Sequence, residues 1–127
     1  MGENRGLIIA VSKDFVSEWA PISDKLCMGN GIETQSVRVY GSEGYLTIHN
    51  VYVHHESSPM SIKLDLTEGK HVIAGDFNAR HEEWEPSESD KIHSPRGRTL
   101  HNLILNAKHL VLANQPKVAT TIHGTTP

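Results

Sequence analysis

HVIAGDFNARHEEW, residues 71–84, opens as an apolar strand and ends in two polar side chains where the apolar pattern should close. The run KHVIAGDFN (70–78) reads as a strand covered on both faces. Strand side chains alternate, so Asp76 and Asn78 are expected on one side and Phe77 on the other. Phe77 then anchors in a core while the polar pair faces an open site. Gly75, lacking a side chain, admits a close approach by another backbone or by a ligand. An Asp and an Asn two residues apart at a strand end suit phosphate chemistry. The carboxylate orients or takes the proton of an attacking water, and the amide donates to a phosphate oxygen. Both residue types also open turns, and GDFN alone does not separate the two readings.

Upstream, GLIIAVS (6–12) reads as a short apolar strand, and residues 13–31 are mixed with turn signals. TQSVRVY (34–40) alternates and reads as a half-buried strand. GSEG (41–44) makes a four-residue hairpin loop, and YLTIHNVYV (45–53) is the return strand. On that strand Leu46, Ile48, Asn50 and Tyr52 share a face, with Asn50 and Tyr52 at its exit end. A tyrosine there either donates its hydroxyl to a phosphate oxygen or packs as a core aromatic with a wet tip. IKLDLTEG (62–69) reads as a short helix or an irregular turn. Downstream, Ser94 caps a helix with Pro95 at its first position. Leu100, Leu103, Ile104 and Ala107 fall on one face, so the helix is expected to pack on a sheet. HLVLAN (109–114) reads as a further strand. Strands followed by a helix give a mixed α/β layered domain.

The chain has 127 residues, enough for one domain with a modest core. Its longest apolar run, LIIAV, is too short to span a bilayer. The opening MGENRG lacks the Ser or Thr that myristoylation needs at position 6, and no secretory pattern is present. A single cysteine, Cys27, excludes an internal disulfide. The net charge of −3 argues against a nucleic-acid binder, but its distribution is uneven. Residues 1–90 hold fifteen acids against seven Lys/Arg, a net −8, whereas residues 91–127 hold five Lys/Arg and no acid, a net +5. The second part either faces phosphate or carries a chance imbalance. The nine histidines show no metal-ligand spacing and read as solvated or loop residues; the acidic HEEWEPSESD lacks calcium-loop spacing. Trp84 reads as a packed loop anchor and Cys27 as an inert thiol.

HNVYVHHESSP, HVIAGDFNARHEEW, SPRGRTLHNLILNAKHLVLAN and ATTIHGTTP follow one another along the chain. In this order they resemble blocks of the endonuclease/exonuclease/phosphatase superfamily, and most closely the endonuclease domains of non-LTR retrotransposons. The combination GDFNA-x-H-x-x-W, RG-x-x-L and L-x-x-N carries the likeness, which covers most of residues 7–127. It implies a four-layer α/β/β/α sandwich and Mg²⁺-dependent phosphoester hydrolysis. In the retroelement branch it implies nicking of DNA beside a reverse transcriptase domain, with access to the nucleus and no membrane association.

Residue by residue, the resemblance makes Asp76 the group that orients or deprotonates the attacking water, Asn78 the phosphate-holding asparagine and Tyr52 the active-site tyrosine. Thr120 or Thr121 matches a threonine after the L-x-x-N strand. Arg96 and Gly97 match the RG motif, read mainly as structure at the helix start with a DNA-backbone contact as a second role. The likeness also places Trp84 near substrate. The superfamily's N-terminal asparagine strand, metal-binding glutamate and closing Ser-Asp-His block have no counterpart here, and Glu3 is too close to the start to serve as that ligand. The expectation is therefore one truncated domain over 1–127 that lacks its main metal ligands and has little or no activity alone; layered β domains commonly run roughly 200–250 residues. Two other readings stand beside it: a non-catalytic relic with a residual nucleic-acid surface on Lys91, Arg96, Arg98, Lys108 and Lys117, and a small-molecule phosphatase or sphingomyelinase-like enzyme.

Overall fold

A two-residue turn at Ser42–Glu43 joins the two longest strands of the protein. In this computed structural model, which describes residues 6–21, 26, 29–55, 63–66, 68–84, 94–107 and 109–114, β2 (Ile32–Gly41) runs antiparallel to β3 (Gly44–Val53). The strands close up to Gly41 opposite Gly44, so the hairpin is tighter than a four-residue loop. Gly44 sits at φ +120, a conformation that side chains resist. On β3 the alternation is complete: Thr47, His49, Val51 and Val53 are buried, while Leu46, Ile48, Asn50 and Tyr52 are half-buried on the other face.

β1 (Val16–Trp19) pairs antiparallel with β2, and β4 (His71–Asp76) pairs parallel with β3, giving a sheet of order β1-β2-β3-β4. Sequence patterning misses β1. Its four residues are all exposed, and pairing with β2 rather than burial makes it a strand. Glu18 on β1 accepts from the Tyr40 hydroxyl at 2.5 Å and lies 3.6 Å from Arg38, tying that edge down. β4 is the opposite edge and is not covered on both faces: Val72, Ala74, Gly75 and Asp76 are all exposed. An apolar run is necessary for a doubly covered strand but does not supply the covering layers.

Two further expectations fail. Residues 6–12 form no strand, although the Asn50 amide donates to the Ile8 carbonyl at 3.0 Å. Residues 109–114 form no strand either, and Val111 is 83% exposed. Leu64, within the ambiguous 62–69 stretch, makes an isolated bridge to Leu26. Those two leucines, with Leu66, Val37, Val51 and Val53, are the buried apolar residues of the sheet-bearing part among the described residues.

The chain forms two compact units, Met1–Asn78, which holds the four-stranded mixed sheet, and Ala79–Pro127, which holds α1 (Pro95–Asn106). Sheet and helix together give an α+β composition. Ser94 caps α1 as expected: its hydroxyl accepts from Gly97 N at 2.9 Å, and Pro95 fills the first position, where no N–H is needed. Leu100 is buried, and Leu103 and Ile104 are half-buried. No helix of the described residues is long and apolar enough to cross a membrane.

A polar chain runs through the sheet. Ser36 Oγ lies 2.7 Å from His49 Nδ1, His49 Nε2 lies 2.9 Å from His71 Nδ1, and His71 Nε2 lies 2.7 Å from the Glu68 carbonyl. The carbonyl only accepts, so His71 carries its proton on Nε2 and in its neutral form accepts from His49 Nε2–H. His49 Nδ1 then accepts from the Ser36 hydroxyl. Burial, and secondarily the neighbouring His71, push the His49 pKa down to about 4. The unfolded chain binds a proton at a higher pH than the fold does, so stability is full above the ordinary histidine range and falls as pH drops towards 4. Urea unfolding across this range should show it, and His49→Gln should flatten the slope; an equal slope in both proteins would assign the acid sensitivity elsewhere.

Candidate active site

Because β3 and β4 are parallel, both strands finish at the same edge of the sheet. Their register sets Tyr52 directly beside Asp76. The antiparallel pairing on the other side sets Glu33 of β2 beside Tyr52. Glu33, Tyr52 and Asp76 therefore form one row across three strands, with neighbours separated by about 4.8 Å in the pairing direction. The row lies on the less buried face, with Asp76 exposed and Tyr52 half-buried. Two groups expected to act together are thus adjacent, although 24 residues separate them in sequence.

Gly75 makes this register possible. Its φ is +150, and a Cβ built on it would lie 1.8 Å from the Val51 carbonyl oxygen and 2.7 Å from Val51 N. The close backbone approach expected at this glycine is made by β3 itself. Beyond Gly75 the strand stops at Asp76, so alternation does not extend to Asn78. Asn78 adopts a left-handed conformation at φ +47, and its N–H donates to Asp76 Oδ1 at 3.0 Å. That is an Asx turn, the local use of the two residues that competed with the phosphate reading. The Asn78 side-chain amide donates to the Val53 carbonyl at 2.6 Å, pinning the turn to the end of β3. Phe77 is half-buried rather than a fully enclosed anchor. The turn does not remove Asp76 from play, because its carboxylate remains exposed and keeps acceptor capacity beyond one N–H.

The histidine after β3 is not merely solvated. His54 Nε2 lies 3.1 Å from Glu33 Oε2, with the two side chains 31% and 33% exposed. The His54 ring meets the Tyr52 ring edge to face, centroids 4.8 Å apart, and its backbone N–H donates to the Gly31 carbonyl at 2.8 Å. Glu33 and His54 are the members of this edge that motif reasoning passes over. The signal for Glu33 is the hairpin itself: pairing Gly41 with Gly44 and counting back puts Glu33 opposite Tyr52.

In the second unit, the RG motif has a steric cause. Ser94 Oγ accepts from Arg80 N at 3.0 Å, and Ser94 N donates to Arg80 O at 3.0 Å, so the Arg80 backbone lies across the start of α1. A Cβ on Gly97 would fall 1.8 Å from Arg80 O. Arg96 is buried, 7% exposed, which suits a structural place at the helix start better than contact with a DNA backbone; Arg98 is exposed. Trp84 anchors its loop as expected: Nε1–H donates to the Ala79 carbonyl at 2.9 Å, and the ring tilts against His81, which is itself stacked on His101 at 3.9 Å. Thr120, Thr121, Lys91, Lys108, Lys117 and Cys27 lie outside the described residues.

The profile of the endonuclease-reverse transcriptase family matches residues 46–127. The chain belongs to that family. Within the matched span lie Tyr52, Asp76, Asn78 and the RG motif, so the endonuclease-reverse transcriptase match covers the candidate edge apart from Glu33. No curated protein and no solved structure matches the chain. The described residues do not fit a metal cage: among them no three His, Cys, Asp or Glu side chains converge. Asp76 offers one exposed carboxylate, whereas Glu33 stands two strands away, roughly 10 Å, and is engaged by His54.

Gly75→Ala should cost at least about 2 kcal/mol by urea unfolding, since backbone rather than a movable side chain fills the space. It should also shift the backbone resonances of residues 50–53. A variant as stable as the wild type would show that β4 does not lie this close to β3.

Proposed function

We infer that this chain supplies the phosphate edge of a DNA-nicking endonuclease of the non-LTR retroelement type. The observation that carries the reading is the register pair Tyr52–Asp76 at the shared ends of β3 and β4. Membership of the endonuclease-reverse transcriptase family supports it. In this reading the sheet is one of two in a sandwich, DNA is the substrate, Mg²⁺ is the cofactor, and a reverse transcriptase region and access to the nucleus belong to the whole element's life cycle.

The chemistry is hydrolysis of a phosphodiester. Water attacks phosphorus in line, a new P–O bond forms, and the bond to the leaving oxygen breaks. Asp76 accepts the hydrogen bond of the attacking water and takes its proton. Tyr52 donates its hydroxyl to a phosphoryl oxygen, countering charge as it develops. The products are a phosphomonoester and a free hydroxyl, the latter taking up a proton from solvent. Asn78 holds the Asp76 carboxylate in place through the turn, with its own amide set by Val53. A bound Mg²⁺ would supply Lewis-acid polarisation of the phosphate. The described residues lack a cage for the ion, so no step is routed through it.

One observation favours a second, non-catalytic reading, a residual nucleic-acid surface: Asp76 and Asn78 both serve the local turn. Nicking of supercoiled plasmid in Mg²⁺ separates the readings. The catalytic reading expects slow nicking by the 127-residue chain that disappears in Asp76→Ala while the circular dichroism spectrum stays the same. Nicking at an equal rate in Asp76→Ala would overturn it. Weak DNA binding without nicking, falling steeply with salt, would favour the second reading.

A further inference from the structure

We propose that His54, oriented by Glu33, is a phosphate-contacting residue of the Tyr52–Asp76 edge. This extends the phosphodiester reading above and rests on it. Three observations carry the assignment. The register row puts Glu33, Tyr52 and Asp76 side by side at the strand ends, and His54 follows Tyr52 by two residues. The carboxylate of Glu33 holds Nε2 of the imidazole at 3.1 Å, which fixes the ring with its Nε2–H towards Glu33. The His54 ring also abuts the Tyr52 ring, so a ligand oxygen reached by the tyrosine hydroxyl lies within the neighbourhood of the imidazole.

With Nε2 committed to Glu33, the remaining ring nitrogen, Nδ1, has no hydrogen bond among the described residues. In the imidazolium form both nitrogens donate, so Nδ1–H is the donor offered to an incoming anion. The row otherwise contains two carboxylates and a phenol, a poor reception for a phosphodiester on electrostatic grounds. A protonated His54 offsets the Glu33 charge and supplies a charge-assisted donor next to Tyr52. The ligand class is therefore a phosphodiester or phosphate monoester anion. The charged and titratable groups facing His54 are Glu33 from β2 and Tyr52 from β3, with Asp76 of β4 next in the row.

The test is titration of the full chain with a DNA dinucleotide, a probe with a single phosphodiester, followed by NMR of the histidine rings. The wild type is expected to bind, with the His54 ring ¹⁵N resonances moving on saturation. His54→Gln should bind about tenfold more weakly. Glu33→Gln should keep the ring in place through its amide oxygen while weakening binding by less. Tyr52→Phe, run in parallel, reports on the phosphodiester reading itself. Weakened binding in Tyr52→Phe with His54→Gln at wild-type affinity would overturn the His54 assignment alone. Wild-type affinity in both variants, or no binding by the wild type, would overturn the assignment and the reading together. Should His54→Gln fail to fold, the wild-type ring signals decide, and resonances that stay still at saturation overturn the proposal.

Discussion

A backbone-to-backbone approach at Gly75 governs the first unit of this protein. β4 reaches β3 in parallel register only because position 75 carries no side chain where the Val51 carbonyl passes. Parallel pairing then brings two strand ends to the same edge, and register alone sets Tyr52 beside Asp76. The second unit uses the same device: Gly97 leaves room for the Arg80 backbone over the start of α1, and Ser94 ties that backbone down from both its hydroxyl and its N–H. In each unit a glycine next to a motif residue is there for contact between main chains, and the neighbouring polar residue gains its position from that contact.

The residues at the sheet edge have double duties. Asp76 and Asn78 close an Asx turn, and the Asn78 amide caps the end of β3 at Val53. A turn of this kind preorganises the carboxylate, because the Asn78 N–H limits the orientations Asp76 can adopt. The turn reading of GDFN is met by these two hydrogen bonds, and the Asp76 carboxylate stays exposed beside Tyr52. Glu33 and His54 likewise join a structural brace to a charged surface feature.

How much of this was legible depended on where the physical cause lay. The hairpin, the Ser94 cap and the Pro95 start were readable because their causes are local: alternation, a tight turn, a hydroxyl before a helix. The close approach at Gly75 was readable in kind, though not its partner, since Val51 lies 24 residues away. β1 was invisible because its four residues carry no burial pattern, and pairing alone defines it. The stretches 6–12 and 109–114 are apolar but lack a ladder partner among the described residues, so hydrophobicity by itself suggested strands that did not form. Reading β4 as doubly covered failed because an apolar sequence says nothing about which layers flank it. His54 was set aside with the other histidines because its partner, Glu33, comes from a strand 21 residues earlier.

The Ser42–Glu43 turn closes the hairpin with Gly41 opposite Gly44, and from that point every pairing along β2 and β3 is counted. It lies at the far end of the strands from Glu33, a distance of roughly 27 Å along β2. Strand faces alternate with a period of two, so one residue added to or removed from β2 next to this turn would carry Glu33 out of its row and turn its side chain to the opposite side of the sheet. The count of residues along β2 from this turn, far from the Glu33 end, therefore acts as a ruler for the composition of that end.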